Sequence, residues 1–183
     1  MIEFTHPASQ ADLEQILALQ EKNLVASISA ETRASQGFVT VKHTLPLLTE
    51  MNEAAPQIIA KAENKVVGYA LVMLKEFQDK VPVLKPMFTM LSTLQYLGQL
   101  QADCRYYVMG QICVDEAFRG QGIFDGLYQK HKEVYSPVFD VCITEISSSN
   151  TRSLKAHHRV GFKTIHTFKD MTDNWEIVSW DWS

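Results

Sequence analysis

The sequence predicts one mixed α/β domain over residues 1–183. Three observations carry this. A length of 183 residues suits a single domain with a sizeable core. A hydrophobic fraction of 46% and a charged fraction of 21% are those of a folded globular chain. Segments of period-two and helical apolar spacing follow one another in the order β-α-α-β-β-β-α-β-α-β-β, with adjacent hairpins and no repeat, low-complexity tract or Gly/Ser linker between them.

The elements follow in chain order. Ile2-Glu3-Phe4-Thr5 alternates like a half-buried strand, and Pro7 ends it. Ser9 with Asp12 forms a helix N-cap pair, after which Leu13, Ile16, Leu17 and Leu24 recur at helical spacing. A second helix is expected from an N-cap at Thr44 to about Met51, carrying Leu45, Leu47 and Leu48. Gln57 to Lys61 and Lys65 to Leu74 are strand-forming runs around Glu63-Asn64, the pattern of a hairpin. Between Lys80 and Gln101 the pattern is mixed, with a helix expected over Met87 to Leu97. Tyr106 to Val114 is a strand, and Gly110 inside it marks a bulge or a close backbone approach. A polar turn, Arg119 to Gly122, opens a helix through Ile123, Phe124, Leu127 and Tyr128 to about Val134. A strand over Phe139 to Ile146, a short helix over Asn150 to Val160 and a strand over Phe162 to Phe168 complete the core, with Gly161 as a helix-ending glycine. Trp175 to Trp182 alternates, Val178, Trp180 and Trp182 sharing one face and Ile177 the other.

Composition narrows the function classes. The net charge of −4 argues against a general nucleic-acid binder. The most apolar stretch, Val81 to Leu100, is interrupted by Pro82, Lys85 and Pro86, so no membrane span is expected. The N-terminus lacks the basic-then-apolar pattern of a secretory signal. Cys104, Cys113 and Cys142 are an odd, dispersed set without CxxC, which fits a reducing cytoplasm rather than a disulfide scaffold or a zinc module; no metal is expected.

The most informative segment is Ile112-Cys113-Val114-Asp115-Glu116-Ala117-Phe118-Arg119-Gly120-Gln121-Gly122-Ile123-Phe124. A strand runs into a glycine loop that opens a helix, so several backbone N–H groups can converge on one point at the helix's positive end. Gly120 and Gly122 let a ligand approach the backbone, and Arg119 offers a charged donor to a phosphate. The natural guest is an anion such as a pyrophosphate. GxxxxGK[ST] is absent, and GxGxxG fails because Gly126 falls one place late. A tight helix-capping turn without a ligand is the alternative.

This segment resembles the signature of the GNAT superfamily of acyl-CoA-dependent acyltransferases, Arg/Gln-x-x-Gly-x-Gly/Ala at a strand-to-helix turn. Arg119 and Gly122 match its first and fourth positions, and Phe124 departs at the sixth, where a small residue is usual. A second segment, Asn150-Thr151-Arg152-Ser153 through Gly161-Phe162, resembles the family's Asn-x-x-Ala/Ser helix ending in Gly-Phe. Gly68-Tyr69-Ala70 and Gly37-Phe38-Val39 fit the same layout, so the resemblance runs from about Ile2 to Trp182. It implies a central mixed, mostly antiparallel sheet flanked by helices, and acetyl-CoA as co-substrate. Residues Arg119, Gly120, Gln121, Gly122, Ile123 and Phe124 would hold the pyrophosphate, and Ile112 and Val114 would offer backbone groups to pantetheine. Cys113, Asn150 and Ser153 would complete the cofactor site.

The implied reaction is direct attack of a primary amine of a small molecule or peptide on the thioester in a ternary complex. The amine must lose a proton, and the departing thiolate gains from a donor. Backbone N–H groups near Cys113 could polarise the carbonyl. In many relatives a tyrosine on the last helix supplies the proton to sulfur; in register that place is held by His157, the candidate general acid. His157 could equally pack on its helix face, and Tyr128 and Tyr106 are alternative donors. Glu145 is the candidate base, directly or through water, or else a structural hydrogen-bond acceptor. Gln111 stands where some relatives carry a carboxylate, and an amide cannot take up the proton. Cys113 has no histidine near it in sequence, which disfavours an acyl-cysteine intermediate.

For the acceptor, the family layout points to Glu31 to Leu48 and Lys80 to Cys104. In the latter, Val81, Val83, Leu84, Met87, Phe88, Met90, Leu91 and Tyr96 form either an apolar wall, a core cover or a homodimer contact. Arg119 to Lys163 holds seven basic and four acidic residues, a net of +3 that leaves −7 on the remainder. That suits an anionic cofactor on one side and a cationic amine on the other. The alternative function is a CoA-binding sensor or regulatory domain of the same fold without turnover, which the departures at Phe124 and His157 favour.

Overall fold

A computed structural model describes residues 1–96, 99–100 and 104–182, apart from the side chains of 33–35, 83, 95–96 and 99–100. Its strands are β1 (Ile2–Thr5), β2 (Ile58–Ala62), β3 (Lys65–Met73), β4 (Gln95–Tyr96), β5 (Gln99–Leu100), β6 (Tyr106–Val114), β7 (Val141–Ser147), β8 (Lys163–Lys169) and β9 (Asn174–Asp181). Its helices are α1 (Gln10–Asn23), α2 (Ala30–Gln36), α3 (Leu45–Ala54), α4 (Lys85–Leu91), α5 (Ile123–Tyr135) and α6 (Thr151–Val160). Seven strands form one sheet in the order β1-β2-β3-β6-β7-β9-β8, and β4 pairs with β5 separately. Only β6 and β7 run parallel; the other neighbours in the large sheet are antiparallel. This is the mixed, mostly antiparallel sheet flanked by helices that the family resemblance implies.

Local chemistry sets the helix starts as expected. Ser9 accepts from Asp12 N and Thr44 from Leu47 N, and the structure adds a cap at Asn150, which accepts from Ser153 N. Gly161, at φ 127°, ends α6 by donating its N–H to the carbonyls of His157 and His158. Two cores lie on the two faces of the sheet. One joins Leu13, Ile16, Leu48, Met51, Tyr69, Leu71 and Val108 beneath α1 and α3. The other joins Val67, Ala70, Val72, Tyr107, Leu127, Tyr128 and Phe162 beneath α5 and α6. Ile177 lies in the first core, and Val178 and Trp180 in the second, with Trp182 packed on it, so β9 divides between the faces as its alternation predicts.

The register of β6 explains Gly110. Leu71 opposes Gln111 while Val72 opposes Met109, which leaves Gly110 as the extra residue of a bulge. The bulge exchanges the two faces. Tyr106 and Val108 share the α1 side before it, and Cys113 shares that side after it. Tyr107 and Met109 face α5 before it, and Ile112 and Val114 do so after it. The pairing of β6 with β7 covers only Tyr106 to Val108, against Val141 to Ile143, and beyond this the two strands part. Thr144 Oγ1 donates to Met109 O at 2.9 Å at the point of divergence.

Elsewhere the structure corrects the sequence expectations. The helix α2 was not expected: its sequence, AETRASQ, has no apolar stripe to announce it, and Ser29 caps it by accepting from Thr32 N. The helix expected over Met87 to Leu97 is α4, ending at Leu91 and followed by the β4–β5 hairpin; Leu97 and the side chain of Tyr96 lie outside the described residues. The apolar segment around it is not an open acceptor wall, since Val81, Leu84, Met87, Phe88 and Leu91 are buried in the first core. The side chain of Val83 lies outside the described residues. The strand expected from Phe139 begins at Val141, because Phe139 N still donates to Tyr135 O in the turn that closes α5.

The packing of α5 on β1 gives a stability prediction. A Cβ at Gly126 would overlap the ring of Phe4. Gly126→Ala is therefore expected to destabilise by about 1–2 kcal/mol, overpacking outweighing the gain in helix propensity. Chemical denaturation measures this; an unchanged or raised midpoint would show that α5 has room to shift.

Candidate active site

Two adjoining cavities occupy the opening between β6 and β7. The larger, about 860 Å³, is lined by Ile112, Cys113 and Val114 of β6, the loop residues Arg119, Gly120 and Gly122, Ile123 and Phe124 of α5, and Asn150 and Ser153 of α6. All the residues expected to hold the cofactor thus meet there except Gln121, whose side chain turns back to donate to Ala117 O at 3.3 Å. The smaller cavity, about 80 Å³, lies between Met109–Ile112 and Thr144–Ser147 and is closed by Thr40, His157 and Trp175. Phe38, Val39, Ile112, Asn150 and Ser153 line both.

The loop leaves its backbone open to the cavity. Gly120 and Gly122 have φ of 75° and 78°, in the left-handed region that glycine enters without strain. A Cβ at either would meet no atom within 4 Å, so the space in front of the backbone is open. No side chain caps α5. Among the described residues no acceptor is placed against the N–H groups of Gly120 to Asp125, and the helix's positive end faces the cavity. A pyrophosphate fits this cradle.

The β6 edge continues the cleft. Asp115 N donates to Val67 O at 2.8 Å, so Cys113 turns its backbone toward β3 by alternation, and Ile112 and Val114 turn theirs toward the open edge. The Val114 carbonyl is taken by Arg119 Nε at 3.1 Å. Arg119 also donates from Nη1 to Gln36 Oε1 at 3.1 Å and from Nη2 to Asn23 Oδ1 at 2.8 Å. It therefore braces the loop against β6 and α1 as well as lining the cavity. Opposite it, Arg152 Nη1 donates to the same Gln36 oxygen at 2.8 Å, and Asn150 Nδ2 holds Phe38 O at 3.1 Å. Residues 36–38 thus form a strap from the glycine loop to α6. No sequence pattern pointed to Gln36 or Asn23.

His157 occupies the expected register position, but its surroundings do not favour the acid role. It is 2% exposed and packed edge-on against Phe124, Tyr128 and Phe162, with ring centroids 5.2–5.3 Å away. Its Nδ1 faces Ser153 O at 2.8 Å; a carbonyl only accepts, so the proton sits on Nδ1 and Nε2 is bare. Burial lowers its pKa to about 4, which keeps the ring neutral at pH 7. Phe124 favours the packed reading of this ring: the departure at the sixth signature position turns into the α5–α6 interface and helps bury it. Tyr128 is fully buried with its hydroxyl unpartnered among the described residues and reaches neither cavity; Tyr106 also lines neither.

Glu145 has the properties of a base. It lines the smaller cavity and has no hydrogen-bond partner among the described residues, so the structural-acceptor role has no donor to support it. Burial, and then the charge of Asp170, raise its pKa to about 7. Gln111 is committed elsewhere: its Oε1 accepts from Tyr69 OH at 2.6 Å and Gln20 Nε2 at 2.7 Å, and its Nε2 donates to Val41 O at 2.8 Å. Burial pushes the Cys113 thiol up to about 12, so no thiolate forms there at neutral pH. Among the described residues no group of three His, Cys, Asp or Glu could hold a metal ion, and no helix is long and apolar enough to cross a membrane.

Comparison with solved structures places this architecture. An N-acetyltransferase from Staphylococcus aureus Mu50 superimposes with a TM-score of 0.66 at 17% identity, over 100% of this chain and 99% of that one. YncA, a putative acetyltransferase from Salmonella typhimurium solved with its cofactor acetyl-CoA, gives 0.65 at 14% identity, over 100% and 94%. A putative acetyltransferase of the GNAT family from Desulfovibrio desulfuricans gives 0.67 at 12% identity, over 100% of both chains. No family model and no curated protein matches the sequence. The chain has the GNAT acetyltransferase fold; at these identities the likeness concerns the fold alone.

Proposed function

We propose that the chain is an acetyl-CoA-dependent N-acetyltransferase acting on a primary amine of a small molecule or peptide in a ternary complex, in a reducing cytoplasm. The observation that carries this is the opening of β6 from β7 after Val108, which joins the glycine loop to a small cavity holding a carboxyl with no hydrogen-bond partner among the described residues. Similarity to YncA, solved with acetyl-CoA, supports the choice of co-substrate. Acetyl-CoA, when bound, supplies the activated acyl thioester. Backbone N–H groups from Gly120 to Phe124 hold its pyrophosphate, and Asn150 and Ser153 border it from α6. The open edge at Ile112 and Val114 would offer backbone groups to the pantetheine, while Cys113 turns its own toward β3. Glu145, ionised above pH 7, accepts the amine proton directly or through one water. His157 carries no proton on Nε2 and serves as wall and hydrogen-bond acceptor instead.

Two measurements test this. Saturating acetyl-CoA is expected to raise Tm by several degrees, and no stabilisation would count against any CoA-binding role. Gly122→Val, which fills the cradle and forces a β-branched residue to φ 78°, is expected to weaken CoA binding roughly 10- to 100-fold; retained affinity would remove the loop from the site. The bare Nε2 of His157 favours one second reading, a CoA-binding sensor without turnover. Thiol release across an amine panel separates the two: stabilisation by acetyl-CoA with no release on any amine would support the sensor.

A further inference from the structure

Binding and chemistry at the cleft leave one contact without a purpose. Gln36 Oε1 accepts from Arg119 Nη1 at 3.1 Å and from Arg152 Nη1 at 2.8 Å. All three residues line the larger cavity, beside Gly120 and Gly122. One neutral oxygen therefore sits between two cationic guanidiniums. A carboxamide dipole offsets the repulsion between them far less than an anionic oxygen would, and guanidinium forks match phosphate geometry. The oxygen's position is set from both sides. Gly37 follows at φ 76°, a Cβ there would lie 3.0 Å from Asn150 Oδ1, and the next carbonyl, of Phe38, accepts from Asn150 Nδ2. Asn23 Oδ1 and Val114 O fix the rest of the Arg119 guanidinium.

We propose that Gln36 is a tethered stand-in for a phosphate oxygen. It occupies the point on which Arg119 and Arg152 converge, and a diphosphate entering over the glycine loop displaces it and takes both guanidiniums. Gln36 is thus a built-in competitor that acts through the arginines and limits the affinity of the site for diphosphate esters. Arg152, outside the glycine-loop signature, becomes a direct ligand of the anion. The identity of the ligand as CoA rests on the function proposed above; its class follows from the paired guanidiniums and the open N–H cradle.

Isothermal titration of the unaltered chain, Gln36→Glu, Gln36→Ala and Arg152→Gln tests this, with CoA and inorganic pyrophosphate as separate probes. A carboxylate at 36 forms ion pairs with both arginines and competes with the ligand, so Gln36→Glu is expected to bind both probes at least 10-fold more weakly without a fall in the Tm of the free protein. Gln36→Ala, which leaves nothing to displace, is expected to bind both at least as tightly as the unaltered chain. Arg152→Gln is expected to lose about 10-fold for both. A merely structural strap predicts the opposite pattern: Gln36→Ala and Gln36→Glu would lose Tm and affinity together. If the unaltered chain binds CoA but Gln36→Glu matches it, the stand-in is overturned and the CoA role stands. If pyrophosphate follows the expected pattern while CoA does not bind, the CoA role is overturned and the stand-in survives. Failure of both probes on the unaltered chain overturns both.

Discussion

Glu145→Gln is expected to lower kcat for amine acetylation about 100-fold and to abolish the rise in rate through pH 7, while making the folded chain more stable above that pH. The opposite signs have one cause. Glu145 lies in the small cavity with no hydrogen-bond donor among the described residues, and burial followed by the Asp170 charge raises its pKa from 4.5 to about 7. As pH rises, the unfolded chain ionises this carboxyl first and the folded chain resists, so stability falls across the window from about 4.5 to about 7. Above it the folded state carries a cost of roughly 3 kcal/mol, which the neutral amide removes. The same raised pKa makes the carboxylate a competent proton acceptor near neutrality. Asp170→Asn withdraws the second cause and is expected to shift the rising limb to lower pH in the otherwise unaltered chain. An unchanged pH–rate profile in Glu145→Gln would end the assignment of the base. A drop in its stability at pH 8.5 would show that the carboxyl has a partner after all.

The parts of this site that were legible in the sequence are those whose cause is local. Gly120 and Gly122 are needed where φ is positive; Asn150 caps the helix it begins, and Gly161 ends it. A strand, a loop and a helix start written within Ile112 to Phe124 place an open backbone cradle with no information from elsewhere. Gly110 was legible as a bulge, though which face Gln111 would take depended on counting the extra residue. The strap was not legible, because its bonds join Gln36 to Arg119 and Arg152 at separations of 83 and 116 residues, and nothing in a short polar helix marks one glutamine among its neighbours. The apolar run from Val81 to Leu91 fits a wall and a core cover equally well by composition, and only its burial against the α1-side core decides. For His157, register gave the position but not the chemistry. The ring's proton and its pKa are set by the Ser153 carbonyl and by three aromatic neighbours from α5 and the segment after α6.

Burial of histidines also makes the whole fold acid-sensitive: between pH 7 and pH 5 the chain is expected to lose roughly 3–4 kcal/mol, a large share of a typical domain's stability. Three imidazoles are held neutral inside it. His43 is 3% exposed; its Nδ1 accepts from Gln20 Nε2 at 2.9 Å, and its Nε2 has no partner among the described residues. The orientation of that amide is fixed because Gln20 Oε1 accepts from His43 N at 2.8 Å. His131 is fully buried, with Nε2 donating to Ala70 O at 3.2 Å and Nδ1 accepting from Tyr107 OH at 3.0 Å. His157 donates from Nδ1 to Ser153 O. Burial is the leading cause in each, lowering the pKa of His43 and His157 to about 4 and of His131 to about 3. For a base with a depressed folded pKa the unfolded chain binds protons first, so stability is intact above the unfolded value of 6.5 and falls as pH drops toward 4. By pH 5 the three together cost roughly 5–6 kcal/mol, and protonation of Glu145, which favours the folded state in the same window, returns roughly 2. The salt-bridged Asp12 and Asp115, with pKa below the usual carboxylate range, add their loss only at lower pH. Urea denaturation at pH 7, 6 and 5 measures the slope. His43→Gln, which keeps an acceptor toward Gln20 and removes one proton site, is expected to flatten the histidine contribution by about a third. Equal stability at pH 5 and pH 7 would mean that these rings reach water, and with it that His157 can carry the proton its present packing denies it.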